Sequence, residues 1–569
     1  MINPAELLPF LTVFSSSPDK QFAAQKIYDY LAGVDLSSAR RREIANVGEL
    51  GRIRVKESEI ASKPQLSVLR SRLDVLKEKQ PSTERKGDLT LALLTAGQLR
   101  ELKPKLVVRE PKDFRGLFWR YAILFLISFL IAHIVWRVRA AEVDAVLLPI
   151  IEILTGVGLI TMVSVRDPLR DMAMFTDFAQ GIIGGLNLMV LVSLVDFHRS
   201  RLRKLSFTPL LASFLLSMAL IFFGSGPGTS DARVNLLGFQ PVEAIRILIV
   251  LFLAGYFAAN WEFLRELKEK KTGALSRLRW LNIPRLEYLL PVVVSMLLVL
   301  AFFYLQKDLG PALVLSFLFL ALYGIARRRF GLVGAAMLMV IAVVWMGYRF
   351  SFPATVAQRI QMWLSPWDNT VRGGDHLAHS LWALSTGGLT GTGLGLGDPG
   401  YVPAAHTDLI GSAVGEELGF AGLLTIFILY AGLIYRCMRI ALRAPGDYTF
   451  FLAIGLTLIT ALQIILIAGG TVGLIPLSGV VLPFLSYGKT SMLANFVIFG
   501  ILLSISAQPE RKEGSEFFRP PSQVGRHGAG AAGDCHTWQG RLRSSRAKRR
   551  SSRSRNACGP GRRLAALRV

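Results

Sequence analysis

Charged residues are scarce in this sequence: Asp, Glu, Lys and Arg make up 18% of its 569 residues, and hydrophobic residues 52%. Soluble domains carry about 25% charged residues, so the balance excludes an ordinary soluble protein of this length. Cysteine is rarer still. The three present, Cys437, Cys535 and Cys558, show no metal-ligand spacing and imply no disulfide framework. Acidic residues are also short, 40 against 65 Lys and Arg. In a soluble chain that imbalance would suggest nucleic acid. Here the cations gather in short loops between apolar runs and in the C-terminal tail, as at cytoplasmic membrane flanks, and no nucleic-acid partner is expected. The N-terminus, Met1-Ile-Asn-Pro-Ala-Glu6, lacks the basic stretch and long apolar core of a cleavable signal. His376-x-x-His379, Asp398, His406 and Asp408 could be assembled into a metal site, but their spacing matches no established zinc pattern, and none is expected.

What the chain does have is apolar runs long enough to cross a bilayer, which takes about 20 residues each. Spans are predicted at 117–136, 145–165, 178–196, 207–224, 242–260, 286–305, 309–326, 331–349, 410–435, 448–468 and 488–506. The fold class is all-α, a polytopic helical membrane protein. Residues 1–116 are mixed polar and apolar and are predicted to form a small helical domain of unreadable role, with Thr95-Ala-Gly-Gln98 as a capping box opening a short helix. Residues 508–569 are rich in Arg, Ser and Gly, hold too few apolar residues for a core, and read as a disordered basic cytoplasmic tail, either attracted to anionic lipid headgroups or simply a poorly constrained terminus. Basic loops at Arg199–Lys204, Arg265–Arg285, Ala326–Arg329 and Arg436–Arg439 alternate with loops poorer in Lys and Arg, so the basic set is cytoplasmic. The long segment 350–409 then faces outward, and the same count puts residues 1–116 outside. Lys103, Lys105, Lys112, Arg115 and Arg120 argue locally for the opposite.

Ionisable groups inside apolar spans cost about 2.5–3.5 kcal/mol each and read as functional by default. Val402-Pro-Ala-Ala-His-Thr-Asp408 places a carboxylate at the head of the span from 410, where Asp408 reads either as a helix N-cap or as a reactive group. Glu416 and Glu417 lie one or two turns further in; at least one is expected to meet a polar cavity or a cation. Before them runs Ser385-Thr-Gly-Gly-Leu-Thr-Gly-Thr-Gly-Leu-Gly-Leu-Gly397, whose glycines suit an anion nest and a bland flexible loop equally. In Gln240-Pro-Val-Glu-Ala-Ile-Arg246, Glu243 and Arg246 are three apart on a helix and close enough to pair. Gln306-Lys-Asp-Leu-Gly310 and Gly488-Lys-Thr-Ser491 add Lys307 and Lys489. Each group taken alone could be an interface anchor. Together they describe an outward cavity with both signs of charge, suited to an anionic lipid-linked substrate.

Six motifs stand in the order of one family: Gln240-Pro-Val-Glu243, Gln306-Lys-Asp-Leu-Gly310, the Gly388–Gly397 run, Ala405-His-Thr-Asp408, Glu416-Glu-Leu-Gly419 and Pro483-Phe-Leu-Ser-Tyr-Gly488. From about 145 to 507 the chain resembles the SEDS family (shape, elongation, division and sporulation), the RodA- and FtsW-like proteins. The resemblance implies a ten-helix core, to which 117–136 would be an additional N-terminal span. It implies a peptidoglycan glycosyltransferase that polymerises lipid II at the outer face of the bacterial cytoplasmic membrane, in division or elongation. Asp408 falls at the family's catalytic aspartate, a general base for the sugar 4-hydroxyl. Candidates for the pyrophosphate are Lys307, Arg246, Arg233 and Lys489. Glu243, Glu416, Glu417, His406, Thr407 and Ser486 would support the cavity. No cofactor is implied with certainty, although a divalent Mg or Mn ion could bridge to the substrate pyrophosphate. The implied partners are lipid II, undecaprenyl-pyrophosphate-linked glycan, membrane lipids and a class B penicillin-binding protein. The sequence departs from the family pattern at Val242, at Arg246 for a usual lysine, at Ala404 and at Gly488-Lys-Thr-Ser491. A lipid-linked precursor flippase and a non-catalytic cell-wall scaffold are the rival readings.

Overall fold

A computed structural model describes residues 3–32, 44–79, 89–139, 143–197, 206–226, 233–236, 238–265, 286–328, 331–351, 354–368 and 374–507. The tail 508–569, the loop Arg199–Lys204 and residues 266–285 lie outside the described residues.

The described N-terminal residues form the helices α1 (Pro4–Leu7), α2 (Ser17–Ala32), α3 (Glu57–Ala61), α4 (Ser67–Lys79) and α5 (Ala96–Leu102). Among them β1 (Arg54–Lys56) pairs antiparallel with β2 (Thr90–Ala92), an element the sequence did not suggest. The segment has its own core, with Phe14, Phe22, Ile27, Val55, Ile60, Leu69 and Leu93 among its buried residues. Asp19 is fully buried for a reason: its carboxylate caps α4, accepting the N–H groups of Val68 and Leu69 at 3.3 Å each. Thr95 and Gln98 form the reciprocal capping box that opens α5.

The membrane helices follow: α6 (Pro111–Val138), α7 (Leu147–Ser164), α8 (Met174–Ser193), α9 (Phe207–Phe223), α10 (Val242–Arg265), α11 (Leu286–Leu305), α12 (Leu309–Arg327) and α13 (Gly331–Arg349). The outward segment then forms α14 (Ala354–Leu364) and α15 (Gly374–Gly387), and the bundle is completed by α16 (Ile410–Arg443), α17 (Asp447–Thr471) and α18 (Lys489–Ser506). Ten of these helices are apolar over at least 18 residues, and α9 is apolar over 17. The chain is a multi-pass membrane protein. Its centre is α17, α18 and α10, which bury 78%, 72% and 67% of their most apolar windows, whereas α13 buries 6% and stands at the rim.

Helix ends fix the two faces. Arg436 near the end of α16 grips Asp144 before α7 at 2.6–3.1 Å, and the Asp144 N–H donates to Ser506 Oγ at the end of α18. This is the cytoplasmic end by loop charge. At the other end the N-terminal segment sits on the turn between α7 and α8. Val47 N–H donates to Arg170 O at 2.9 Å, Val108 N–H to Leu169 O at 2.7 Å, and the Arg109 guanidinium to Pro168 O and Asp171 O at 2.8 and 2.7 Å. Lys103 pairs with Asp171 at 2.8 Å, and Lys105 donates to Thr12 Oγ1 at 2.6 Å. Two of the cations that conflicted with an outer location are thus engaged in docking and internal contacts. Helix α6 lies along α8, with Phe114, Phe118 and Tyr121 around Phe175 and Trp136 Nε1 donating to Ser193 Oγ at 2.9 Å.

Candidate active site

The glycine run explains itself once α16 is followed inward. Gly419 has φ 66° and ψ −170°, so α16 is two helices broken at that residue. A break inside a membrane helix strands backbone groups that no water can satisfy. The glycine segment supplies the partners. Thr392 and Gly393 N–H donate to Glu416 O and Glu417 O at 3.0 Å each, and Phe420 and Ala421 N–H donate to Gly388 O and Leu389 O at 2.9 and 3.1 Å. The two glutamates complete the seam: Gly395 N–H donates to Glu417 Oε1 at 3.2 Å and Asp398 N–H to Glu416 Oε1 at 2.9 Å. The amides that could have cradled a substrate anion are therefore held by the chain's own carboxylates and carbonyls. Glu416 and Glu417 are buried staples of the broken helix, each met at Oε1 by a backbone amide and, among the described residues, not by a cation.

This close threading requires glycine at Gly391, where a Cβ would stand 2.1 Å from Glu417 O. Gly391→Ala is expected to destabilise the protein by more than about 3 kcal/mol. Gly395→Ala, also at positive φ but with open space around the Cβ, should cost only about 1–2 kcal/mol. Thermal melting of the two purified variants in one detergent checks the order; equal melting temperatures would refute the threading argument.

Asp408 lies on the turn that leads into α16. It is not the N-cap: that position is Leu409, and no side chain caps this helix. The turn is held from both sides. Val402, Ala405, Leu409 and Ala413 pack with Val165 and Ala383, while Ser486 Oγ donates to Thr407 O and Tyr487 N–H to His406 O at 2.7 Å each. Burial pushes the Asp408 carboxyl above the usual aspartate range, against the opposing pull of Arg359, a hydrogen bond with the Thr407 side chain, and His376. Burial, aided by Arg166, holds the His406 imidazole below its usual value.

Arg359, on α14, joins two acidic groups. Its Nη1 donates to Leu477 O at 2.8 Å, which fixes the guanidinium beneath the segment joining α17 to α18. Its charge acts on Asp408 and also on Asp308, before α12. Burial raises the Asp308 carboxyl too; Arg246 and Arg359 oppose that rise, and Glu243 adds to it. Arg246 Nη1 pairs with Glu243 Oε2 at 3.0 Å, and both side chains are almost wholly buried. Asp408, Arg359, Asp308, Arg246 and Glu243 thus form one electrostatic neighbourhood. Lys307 precedes Asp308 directly, at φ 59°.

The other two expected cations are placed differently. Lys489 Nζ is held by Asp177 Oδ1 of α8 at 2.9 Å, beside a Tyr487 hydroxyl that donates to the same carboxylate. Arg233 donates its N–H to Gln306 O at 3.0 Å and its guanidinium to Ile221 O. Both therefore fasten the outer loops through these contacts. Arg359 and Asp177 were not singled out from the sequence, and Asp308 stood within the Gln306–Gly310 motif without a role of its own. Arg359 did carry a signal, as the one charged residue of the 11-residue helix α14. Among the described residues, no three His, Cys, Asp or Glu side chains converge as metal ligands.

Comparison with known proteins agrees with this architecture. The family profile FtsW/RodA/SpoVE, described as cell cycle protein, matches residues 144–511. The peptidoglycan glycosyltransferase RodA of Mycobacterium tuberculosis (strain ATCC 25618 / H37Rv) is 31% identical over 443 residues, covering 75% of this chain and 92% of the relative. Stage V sporulation protein E of Bacillus subtilis (strain 168) is 29% identical over 379 residues, covering 64% and 96%. A solved structure described as "Structural coordination of polymerization and crosslinking by a peptidoglycan synthase complex" shares the fold, with a TM-score of 0.50 at 24% identity over 64% of this chain and 97% of that one. With eleven apolar helices among its described residues, its motifs in order and a profile match over most of its length, the chain belongs to the FtsW/RodA/SpoVE family, the SEDS proteins.

Proposed function

We propose that the protein is an inverting peptidoglycan glycosyltransferase that polymerises lipid II at the outer face of the bacterial cytoplasmic membrane, with Asp408 as general base. One observation carries the residue assignment: Asp408 stands on an outward turn, outside the helix-cap position, with the Arg359 charge acting on it. In this reading the Asp408 carboxylate takes the proton of the acceptor sugar's 4-hydroxyl as that oxygen attacks the anomeric carbon of the growing strand. The bond to undecaprenyl pyrophosphate breaks, its electron pair leaves with the pyrophosphate, and the configuration inverts. Arg359 and Lys307 are the candidate cations for the charge that develops there. Arg246, bound to Glu243, acts mainly by holding Asp308 and the neighbouring turn.

The partner is a class B penicillin-binding protein, which crosslinks the strands. Purified protein, with that partner, is expected to convert purified lipid II into glycan strands resolved on a gel. Lipid II crossing vesicle membranes without polymer would favour the flippase reading instead. Lys489 offers a sharper check on the assignments. Its pair with Asp177 is half exposed, and such pairs are worth up to about 1 kcal/mol. Lys489→Ser should therefore lower the polymerisation rate by no more than about fivefold. A loss of about 10²-fold or more would return Lys489 to the pyrophosphate site.

A further inference from the structure

Helix α6 forms a groove that polymerisation does not use. It runs between α6 and the start of α7, encloses about 550 Å³, and has apolar walls that include Leu126, Phe129, Leu148 and Pro149. The ion pair of Asp144 with Arg436 lies at its edge and marks the cytoplasmic end of the bundle, opposite Asp408. Three further ionisable side chains line the groove: His133 and Arg137, four residues apart on one face of α6, and Glu152 of α7. None of the three side chains has a hydrogen-bond or ion-pair partner among the described residues.

Their depths differ in a useful way. Arg137 is next to the last residue of α6, where a long side chain reaches headgroups without further explanation. Glu152 has no such escape. It is the sixth residue of α7, roughly 7.5 Å along the axis from the helix start, and its side chain is short. An unpaired carboxylate at that depth calls for a cation, and the nearby basic groups do not contact it. The groove thus offers a phosphate acceptor at its mouth, a cation acceptor further in, and hydrocarbon-lined walls between the helices.

We infer that this groove binds a phospholipid of the cytoplasmic leaflet whose headgroup carries a phosphate and a primary ammonium, a phosphatidylethanolamine. The phosphate meets Arg137 and His133, the ammonium meets Glu152, and an acyl chain lies along the apolar walls. Charge complementarity selects this occupant. A phosphatidylglycerol would leave Glu152 unpaired beside added negative charge. A phosphatidylcholine has no N–H on its ammonium with which to donate to the carboxylate, whereas a primary ammonium has three. Helix α6 precedes the 144–511 profile match and α7 lies within it, so the groove joins an element outside the matched segment to the family core.

Native mass spectrometry of the full-length protein, exchanged into nanodiscs of equal phosphatidylethanolamine, phosphatidylglycerol and phosphatidylcholine, tests the inference. Wild type is expected to retain phosphatidylethanolamine over the other two by about fivefold. Glu152→Gln and Arg137→Gln should each abolish that preference, and Arg137→Lys should restore part of it. Equal retention of the three lipids by wild type overturns the proposal without depending on any variant's folding. Preferred phosphatidylglycerol, strengthened by Glu152→Gln, overturns it in favour of an anionic lipid. The measurement needs no polymerisation, so its outcome is independent of the proposed enzymatic activity.

Discussion

Glycan polymerisation should fall by about 10²–10⁴-fold when Asp408 is replaced by asparagine, the range that a positioned general base contributes. The asparagine keeps the shape of the side chain and loses only its capacity to take the proton. Stability should move the other way or not at all. Burial raises the Asp408 carboxyl above its ordinary value, so in the folded protein the ionised form is the disfavoured one. Between the ordinary aspartate pKa and that raised value the folded state binds more protons than the unfolded state. Its stability therefore decreases as pH rises through this window, and the whole loss is present above it. Asparagine removes the loss, so at neutral pH the variant should melt at the same temperature as wild type or higher. The rate should depend on pH in the complementary sense, rising as Asp408 ionises, with a midpoint above the roughly 3.9 of a free aspartate. Lipid II polymerisation and thermal melting, measured on the same preparation, check both halves. Full activity in Asp408→Asn would dismiss the general-base role; lost activity with a sharply lowered melting temperature would make Asp408 a structural residue.

The membrane helices were legible because hydropathy alone identifies a span, whatever the helix packs against. Even so, α14 and α15 were not visible: both are short, and α14 mixes Arg359 and two glutamines into an 11-residue amphipathic turn that hydropathy passes over. The glycine run shows where sequence reasoning stops. Gly391, Gly393 and Gly395 offer a row of backbone amides, from which an anion nest and a bland flexible loop follow equally. What takes up the amides is the opened backbone of α16 and the carboxylates of Glu416 and Glu417. No local feature distinguishes Gly419, which makes the opening, from any other membrane glycine. The contact of Lys489 was not legible for a similar reason: its carboxylate partner Asp177 is 312 residues away in the chain. Asp408 and the pair of Glu243 with Arg246 could be found because their evidence is local. One is a carboxylate beside an apolar span, the other a three-residue spacing on a helix. Arg359 becomes meaningful only when α14 folds under the loop that holds Leu477.

Arg359→Gln is the second large effect, and it separates two roles of one guanidinium. Arg359 opposes the rise that burial imposes on both Asp408 and Asp308. Without it the desolvation remains and the attraction is gone, so both carboxyls rise further. The acid limb of the pH–rate profile should move to higher pH. At neutral pH a smaller fraction of Asp408 is then in the basic form. If Arg359 also meets the developing pyrophosphate charge, a further factor of about 10²–10³ is lost at every pH, the scale of one removed transition-state donor. The profile therefore falls and shifts together. Arg359→Lys keeps the charge but not the planar fork that reaches Leu477 O while facing a carboxylate. It should restore the position of the profile and only part of its height. A merely structural role predicts something else: a lowered rate with an unmoved acid limb and no rescue specific to charge. An unchanged rate in Arg359→Gln would remove the residue from the site altogether, leaving Lys307 as the cation to test next. The pH profile carries the decision because a lost packing contact can lower a rate, but it cannot restore an acid limb when a positive charge is returned.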